Sequence, residues 1–273
     1  MTSRLRVEDF SLKDSLECGQ FFRFVKNGEA YLIQASDQIF SIRQKGDLLY
    51  YEGVEESFLV HFFRLDEDRP SLLKEIDVDP LIRGAIKRYP GLRLIRQDPW
   101  ECLVSFLLSS AKRIGHIRCL IESLCRACGE KGSYGSFVGY GFPDPERLRA
   151  SLSLDEVRAG FRKAYLFKIG QTVERADLFR LKGLPYEEAR QRLLGLAGVG
   201  KKIADCVLLY SLDFLQAFPI DTWIRKGLQR FYFKGREVGP RELEVFVREH
   251  FGPYAGYAQL FLYYDWRSRF RSD

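Results

Sequence analysis

Lys202 and Asp221 are the two side chains whose types and settings point most directly to covalent chemistry. Lys202 follows Gly198-Val199-Gly200-Lys201 and opens a segment in which Ile203, Ala204, Val207 and Leu208 recur at helical spacing. A lysine in the first turn of a helix sits at the positive end of the backbone dipole, and Lys201 beside it adds like charge. With partial burial, both effects disfavour the ammonium form, and an amine pushed toward neutrality is what a Schiff-base nucleophile requires. Asp221 precedes Thr222-Trp223-Ile224-Arg225-Lys226-Gly227-Leu228, so its plainest role is the N-cap of that helix. A cap can also face a cleft. Read singly, Lys202 could equally be a solvated surface lysine and Asp221 a cap alone.

The elements that would position them are legible on either side. Pro185-Tyr186-Glu187-Glu188-Ala189-Arg190-Gln191-Arg192-Leu193-Leu194 has Pro in its first turn, early acids and later apolar residues, the pattern of an amphipathic helix that Gly195 and Gly198 end. Gly198-Val199-Gly200 is a tight turn whose glycines can take positive φ. The sum is helix, glycine-flanked hairpin, helix, over about 185–212. The free N–H groups and positive dipole end of the second helix suit a phosphate oxygen, so such a hairpin can grip a nucleic-acid backbone without reading sequence. Many glycine-containing αα-hairpins bind nothing, and the glycines alone leave both readings open.

Taken jointly, Leu196-Ala197-Gly198-Val199-Gly200-Lys201-Lys202, Ala204-Asp205-Cys206 and Pro219-Ile220-Asp221 resemble the DNA glycosylases built on a helix-hairpin-helix followed by a Gly/Pro-containing loop and an aspartate. The resemblance implies that Lys202 is the amine nucleophile of a bifunctional member and Asp221 its catalytic carboxylate. It further implies that Gly198, Gly200 and Lys201 hold the DNA backbone.

The totals agree with a folded, mildly basic protein. At 273 residues with 46% hydrophobic and 14% aromatic content, the chain can bury a substantial core and is not a disordered tail. Lys and Arg number 43 against 37 Asp and Glu, so a nucleic-acid surface should be a local patch and not a global field. Six cysteines lie in apolar helical patterns in a chain without a signal peptide or long apolar span, which predicts a reducing cytosol, free thiols and no membrane. Cys125 and Cys128 form the one close pair; with no second pair and no suitably placed His, no metal site is expected. No cysteine follows Cys206, which disfavours the iron–sulfur subgroup of the superfamily.

Residues from about 8 to 52 read as β. Phe21-Phe22-Arg23-Phe24-Val25 and Ala30-Tyr31-Leu32-Ile33 flank the hairpin signal Asn27-Gly28, and Ile39–Ile42 and Leu48–Tyr51 flank Lys45-Gly46-Asp47. After Val54 the period becomes helical, and a soft domain boundary is expected near residue 78. Asp79-Pro80 and Asp98-Pro99 each look like a helix start, and Ser153-Leu154-Asp155-Glu156 has capping-box spacing. The expected fold class is α+β: an N-terminal antiparallel β-sheet domain with flanking helices over 1–78 and a larger all-α helix-hairpin-helix body over 79–273.

That order of a β region and a helical body resembles the 8-oxoguanine DNA glycosylases in particular. Glu17-Cys18-Gly19-Gln20-Phe21 is similar to the segment in which that family accepts the N7 proton of the oxidised base on a glycine carbonyl, implying that Gly19 is the lesion sensor. Gly252-Pro253-Tyr254-Ala255-Gly256-Tyr257-Ala258-Gln259-Leu260-Phe261-Leu262-Tyr263 resembles the family's C-terminal helix, implying that Gln259 meets the Watson–Crick edge and Tyr263 stacks on the base, with Cys206 on its other face. Gly160-Phe161-Arg162 resembles the loop that wedges an aromatic into the stack and sets an arginine on the orphaned cytosine. The pattern departs at Ser109-Ser110-Ala111-Lys112-Arg113-Ile114-Gly115-His116, where asparagines and an arginine are usual; Ala111 cannot hydrogen-bond and His116 is a weaker donor, so relaxed opposite-base choice is expected.

The expected protein is thus a monomeric glycosylase/AP lyase without cofactor or metal. It would act on 8-oxoguanine in damaged double-stranded DNA, in the cytoplasm at the nucleoid or in a nucleus. Two alternatives stay open: a glycosylase for another damaged base, and a non-catalytic binder of DNA structure that uses the hairpin alone.

Overall fold

The computed structural model describes residues 2–109, 113–134, 137–150 and 157–270. The Ala111 position and the capping-box segment Ser153-Leu154-Asp155-Glu156 lie outside them.

Five antiparallel strands, β1 (Ser3–Arg6), β2 (Phe24–Asn27), β3 (Ala30–Ala35), β4 (Gln38–Lys45) and β5 (Leu48–Glu52), form one sheet in the order β1-β5-β4-β3-β2. The register Asn27↔Ala30 closes the expected hairpin, and Lys45↔Leu48 the next. Ile33, Phe40, Ile42 and Leu49 are fully buried, pointing inward at alternate positions as a half-buried sheet requires. They pack on α2 (Glu56–Phe62), where Phe62 meets Phe40 with ring centroids 6.3 Å apart.

Two features of this region differ from the reading of residues 8–52 as strands alone. Residues before Phe24 include a short helix, α1 (Leu12–Glu17), whose Ser11 N-cap accepts from the Asp14 N–H. β1 pairs with β5, so its partner comes from the far end of the sheet in sequence.

The helical body begins with α3 (Arg69–Ile76) and α4 (Pro80–Arg88), whose caps are Asp68 and Asp79. Leu72 and Ile76 of α3 belong to the large core of the helical body, whereas the sheet core is built from residues 7–63 with Ile95. At the centre lies α5 (Pro99–Leu108), capped by Asp98 and buried at every residue. It runs against α11 (Lys201–Ser211), where the Cys102 thiol donates to the Cys206 carbonyl at 3.8 Å. The remaining elements are α6 (Ile114–Cys128), α7 (Pro145–Ala150), α8 (Arg162–Thr172), α9 (Arg175–Arg180), α10 (Tyr186–Leu194), α12 (Thr222–Phe231), α13 (Pro240–Phe251) and α14 (Ala255–Phe270).

The sequence predicts an all-α body, and the structure adds one small two-stranded sheet to it. Strands β6 (Lys131–Tyr134) and β7 (Phe137–Tyr140) form a hairpin, which touches the sheet through the Tyr134 hydroxyl donating to Glu52 at 3.3 Å. One buried amide is among the contacts that tie the N-terminal region to the rest of the chain. Gln20 donates to the carbonyls of Ser15 (2.9 Å) and Arg93 (2.8 Å) and accepts from the Ile95 N–H (3.0 Å), so all its strong valences are satisfied in a position that is 1% exposed. Among the described residues no helix is long and apolar enough to cross a membrane, and all six cysteines are free thiols.

Candidate active site

The hairpin between α10 and α11 depends on its first glycine. Gly198 has φ +77°, and a Cβ there would lie 2.5 Å from the ring of Tyr165 and 3.0 Å from Leu107, so both conformation and space exclude a side chain. The Gly200 carbonyl accepts the first helical bond, from Ala204 at 3.0 Å, which starts α11 and sets Lys202 in its first turn.

The hairpin is braced from beneath. Arg190 on α10 makes a two-pronged ion pair with Asp205 on α11 (2.7 and 3.0 Å), and Tyr186 donates to the same carboxylate at 3.1 Å. Arg190 also reaches Glu244 on α13 at 3.2 Å, and Glu244 in turn receives Lys201 at 2.9 Å. Burial raises the Asp205 carboxyl above its ordinary range, against the pull of Arg190. The buried carboxylate is held by one guanidinium and one phenol. Arg190→Ala should cost about 3 kcal/mol of stability, because it strands that charge; urea unfolding of the two proteins measures it, and a loss under about 1 kcal/mol would mean water replaces the arginine.

Lys202 and Asp221 come together at the mouth of a cleft of about 580 Å³. The Lys202 Nζ donates to the Ser109 hydroxyl at 3.3 Å and lies 4.6 Å from the centroid of the Phe106 ring, so the end of α5 holds the amine from one side. Asp221 is the N-cap of α12 and accepts from the Ile224 N–H at 2.8 Å. Burial pushes its carboxyl up; the Ile224 N–H, the Lys202 charge, the Trp223 N–H and the Arg267 charge oppose that without cancelling it.

The cleft walls hold the remaining expected pocket residues. Gly19, Cys206, Gln259 and Tyr263 all line it. Gly19 has φ +101°, and a Cβ there would lie 2.5 Å from the Arg267 guanidinium and 2.7 Å from Ile114. Cys206 is 2% exposed, and burial pushes its thiol up to about 12, so it stays protonated at neutral pH. The Gln259 amide donates to the Pro219 carbonyl at 3.1 Å and accepts from the Tyr210 hydroxyl at 3.4 Å, which orients its carbonyl oxygen toward α11 and its amide nitrogen toward the Asp221 loop. Helix α14 is set against α12 at Gly227, where a Cβ would overlap the Trp266 ring, and against α4 by Arg88, which holds Asp265 with two bonds of 2.6 and 2.9 Å.

The other expected DNA contacts lie elsewhere on the surface. Phe161 is 67% exposed beside Gly160 and packs edge-on against Tyr165, whose ring also fills the space at Gly198. The exposed aromatic and the hairpin are thus joined through one side chain. Arg162 does not project with it: it is 4% exposed, its guanidinium 4.4 Å from the Phe161 ring and donating to the Ala159 carbonyl at 3.4 Å. To reach a base it would have to leave this seat. His116 is exposed on α6 and is not among the cleft-lining residues.

Sequence reasoning missed several cleft residues: Phe106, Tyr210, Trp223 and Arg267. Two were within reach of helical periodicity. Lys202, Cys206 and Tyr210 follow i, i+4, i+8 on α11, and Gln259, Tyr263 and Arg267 follow the same spacing on α14, so each expected face continues one turn further. Trp223, 39% exposed, stands where the cleft opens into a second groove of about 1100 Å³ that runs past the exposed Arg225 and Lys226 to Val238-Gly239-Pro240. Among the described residues no cluster of three or more His, Cys, Asp or Glu could hold a metal ion.

Known proteins share this fold. Residues 3–103 match the family described as 8-oxoguanine DNA glycosylase, N-terminal domain. A probable N-glycosylase/DNA lyase of Methanothermobacter thermautotrophicus is 31% identical over 63% of this chain, and the match spans 62% of that relative's own length. The structure of MBOgg1 in complex with a low-affinity DNA ligand superposes with a TM-score of 0.93 at 33% identity, covering 98% of this chain and 96% of that one. The Clostridium acetobutylicum 8-oxoguanine glycosylase/lyase, solved with double-stranded DNA containing cytosine opposite 8-oxoguanine, gives 0.91 at 30% identity with 98% of both chains covered. With a relative above 30% identity matched over nearly its whole length, and with the sheet, the hairpin and the cleft in the same chain, the protein belongs to the 8-oxoguanine DNA glycosylase family of the helix-hairpin-helix superfamily.

Proposed function

We propose that this protein is a bifunctional DNA glycosylase/AP lyase that flips 8-oxoguanine out of duplex DNA, excises it through a lysine Schiff base and nicks the strand. The observation that carries the reading is the convergence of Lys202 and Asp221 on the same cleft that Gly19, Cys206, Gln259 and Tyr263 line. A reacting pair and a base-sized pocket then serve one nucleotide.

Entry begins with the backbone. The hairpin amides at the start of α11, with Lys201, take a phosphate, and Arg225 and Lys226 beside the second groove extend the basic track. Phe161 fills the space that the flipped base leaves and offsets its unstacking. The base then lies between Cys206 and Tyr263 with its Watson–Crick edge on Gln259, and Gly19 offers a carbonyl to N7. Ordinary guanine has only an acceptor at N7 and would face that carbonyl with two acceptors in a desolvated pocket. One proton decides the substrate.

The Lys202 amine attacks C1′ through its nitrogen lone pair and the bond to the base breaks, the base leaving with the electron pair and taking up the proton that the amine gives up. The Asp221 carboxylate stabilises positive charge developing on the sugar and assists proton movement. The C1′–amine adduct opens to a Schiff base, and loss of a C2′ proton expels the 3′ phosphate by β-elimination. The DNA itself sets the compartment: nucleoid-associated cytoplasm or a nucleus.

Excision is tested on duplexes carrying 8-oxoguanine opposite C, A, G or T, with other modified bases as competitors and undamaged guanine as control. We expect 8-oxoguanine to be preferred over guanine by at least about a thousandfold, as expected for a site that hydrogen-bonds the distinguishing proton. Because His116 lies off the cleft and Arg162 is turned inward, excision opposite the four partners should differ by less than about tenfold. A preferred competitor base would replace the substrate assignment, and strict dependence on cytosine would mean that Arg162 leaves its buried seat on binding DNA.

A further inference from the structure

The two sides of the base pocket come from opposite ends of the chain. Gly19 lies in the turn after α1, and Gln259 and Tyr263 lie on α14. What joins them is Arg267, on the same α14 face. Its guanidinium donates to the carbonyl of Cys18 at 2.6 Å and to that of Glu17 at 3.1 Å, the unspent carbonyls at the C-terminal end of α1. The same group lies 5.6 Å from the Tyr263 ring centroid and lines the cleft. Its Nη1 would be only 2.5 Å from a Cβ at Gly19, so it packs directly on the bare Cα of that residue.

We propose that Arg267 is a positioning residue for base discrimination, a fork that fixes the backbone at Gly19 relative to the face that carries Gln259 and Tyr263. This rests on the function proposed above and names the part of the site that makes it selective. A carbonyl that must distinguish N7–H from bare N7 has to be held to a fraction of an ångström, yet Gly19 has φ +101° in a turn outside any strand and cannot hold itself there. Arginine suits the task because its planar donors bind two adjacent carbonyls at fixed separation, which a lysine ammonium does not reproduce. A guanidinium that merely capped α1 would support stability and leave selectivity alone.

Arg267→Met and Arg267→Lys separate these roles, with unfolding curves confirming that each variant is folded. Two reactions are compared on each protein: excision of 8-oxoguanine, which uses the base pocket, and nicking of a preformed abasic site, which does not. We expect Arg267→Met to lower kcat/KM for excision by about a hundredfold, the effect of a misplacement near 1 Å, and by at least tenfold more than it lowers abasic-site nicking. Arg267→Lys should recover part of the loss. In a Lys202→Gln background, the ratio of affinities for 8-oxoguanine and guanine duplexes should narrow by about tenfold on adding Arg267→Met, a single hydrogen bond's worth of selectivity. Equal losses in excision and nicking, or an unchanged affinity ratio, would overturn the role of Arg267 while leaving the function standing. An unsubstituted protein that ignores 8-oxoguanine would overturn both, and shows itself before any variant is made.

Discussion

Lys202→Gln will abolish base excision and borohydride-trappable protein–DNA adducts together, with excision falling by at least about ten-thousandfold, because removing the member that forms the covalent bond disables the whole reacting unit. The geometry makes this a clean experiment. Glutamine is one bond shorter than lysine, keeps an amide donor on the side of the Ser109 hydroxyl that the lysine meets at 3.3 Å, and introduces no charge next to Phe106. Stability should therefore change by less than about 1 kcal/mol, as for a half-buried substitution that strands no polar group. DNA affinity should largely persist, since the hairpin amides, Lys201, Arg225 and Lys226 remain although Lys202 also lines the groove, and it should fall steeply with added salt. The trapped adduct of the parent protein, being covalent, should survive a high-salt wash that strips the variant. Retained adducts in the variant would transfer the nucleophile to another amine. A variant that loses DNA binding as well would favour the hairpin-only reading, in which Lys202 is one more backbone contact.

The placement of Lys202 and Asp221 was legible because each is announced by its neighbours in the chain. A tight glycine turn places Lys202 at a helix start, and Asp221 is followed by a helix that needs a cap; both are short-range facts. The sheet hairpins were legible for the same reason, each closing over two residues. What escaped notice is long-range or very short. Strand β1 is defined by its pairing with β5, and nothing local marks Ser3–Arg6 as its partner. Helix α1 spans six residues inside a stretch rich in strand formers, and only Ser11, with Asp14 three residues on, signals it. The β6–β7 hairpin contains Gly132 and Gly139, which depress strand propensity.

The site divides along the same line. Cys206 and Gln259 could be placed on helix faces, but their meeting depends on α14 returning to pack on α12 at Gly227. Gly19 carried no signal of its own beyond the resemblance; its positive φ and the guanidinium against it appear only once both ends of the chain are folded together. Arg162 illustrates the converse. Its place after Phe161 was picked out by the resemblance, whereas its inward orientation is decided by packing that periodicity does not describe.

Asp221→Asn should separate two roles that one carboxylate combines. As a cap, asparagine serves a helix N-terminus about as well as aspartate, so the bond to the Ile224 N–H at 2.8 Å should be kept. As a charge, it is lost. The folded protein holds the Asp221 proton more tightly than the unfolded chain does, because burial raises the folded value. The stabilisation this gives is present while the group is protonated and disappears as pH rises from the ordinary aspartate range through the raised value, so at neutral pH the ionised carboxylate is a net cost to the fold. The asparagine variant should accordingly unfold at the same or higher urea concentration near pH 7, with its advantage shrinking as the solution is acidified. Excision should nevertheless drop by about a thousandfold, the scale seen when a preorganised electrostatic partner is removed from a reacting centre. In the parent protein the acidic limb of kcat/KM should lie above the usual aspartate range and vanish in the variant. A variant that is both inactive and destabilised at pH 7 would make the cap, not the charge, the reason for the loss; one that stays active would leave Lys202 to act without a carboxylate partner.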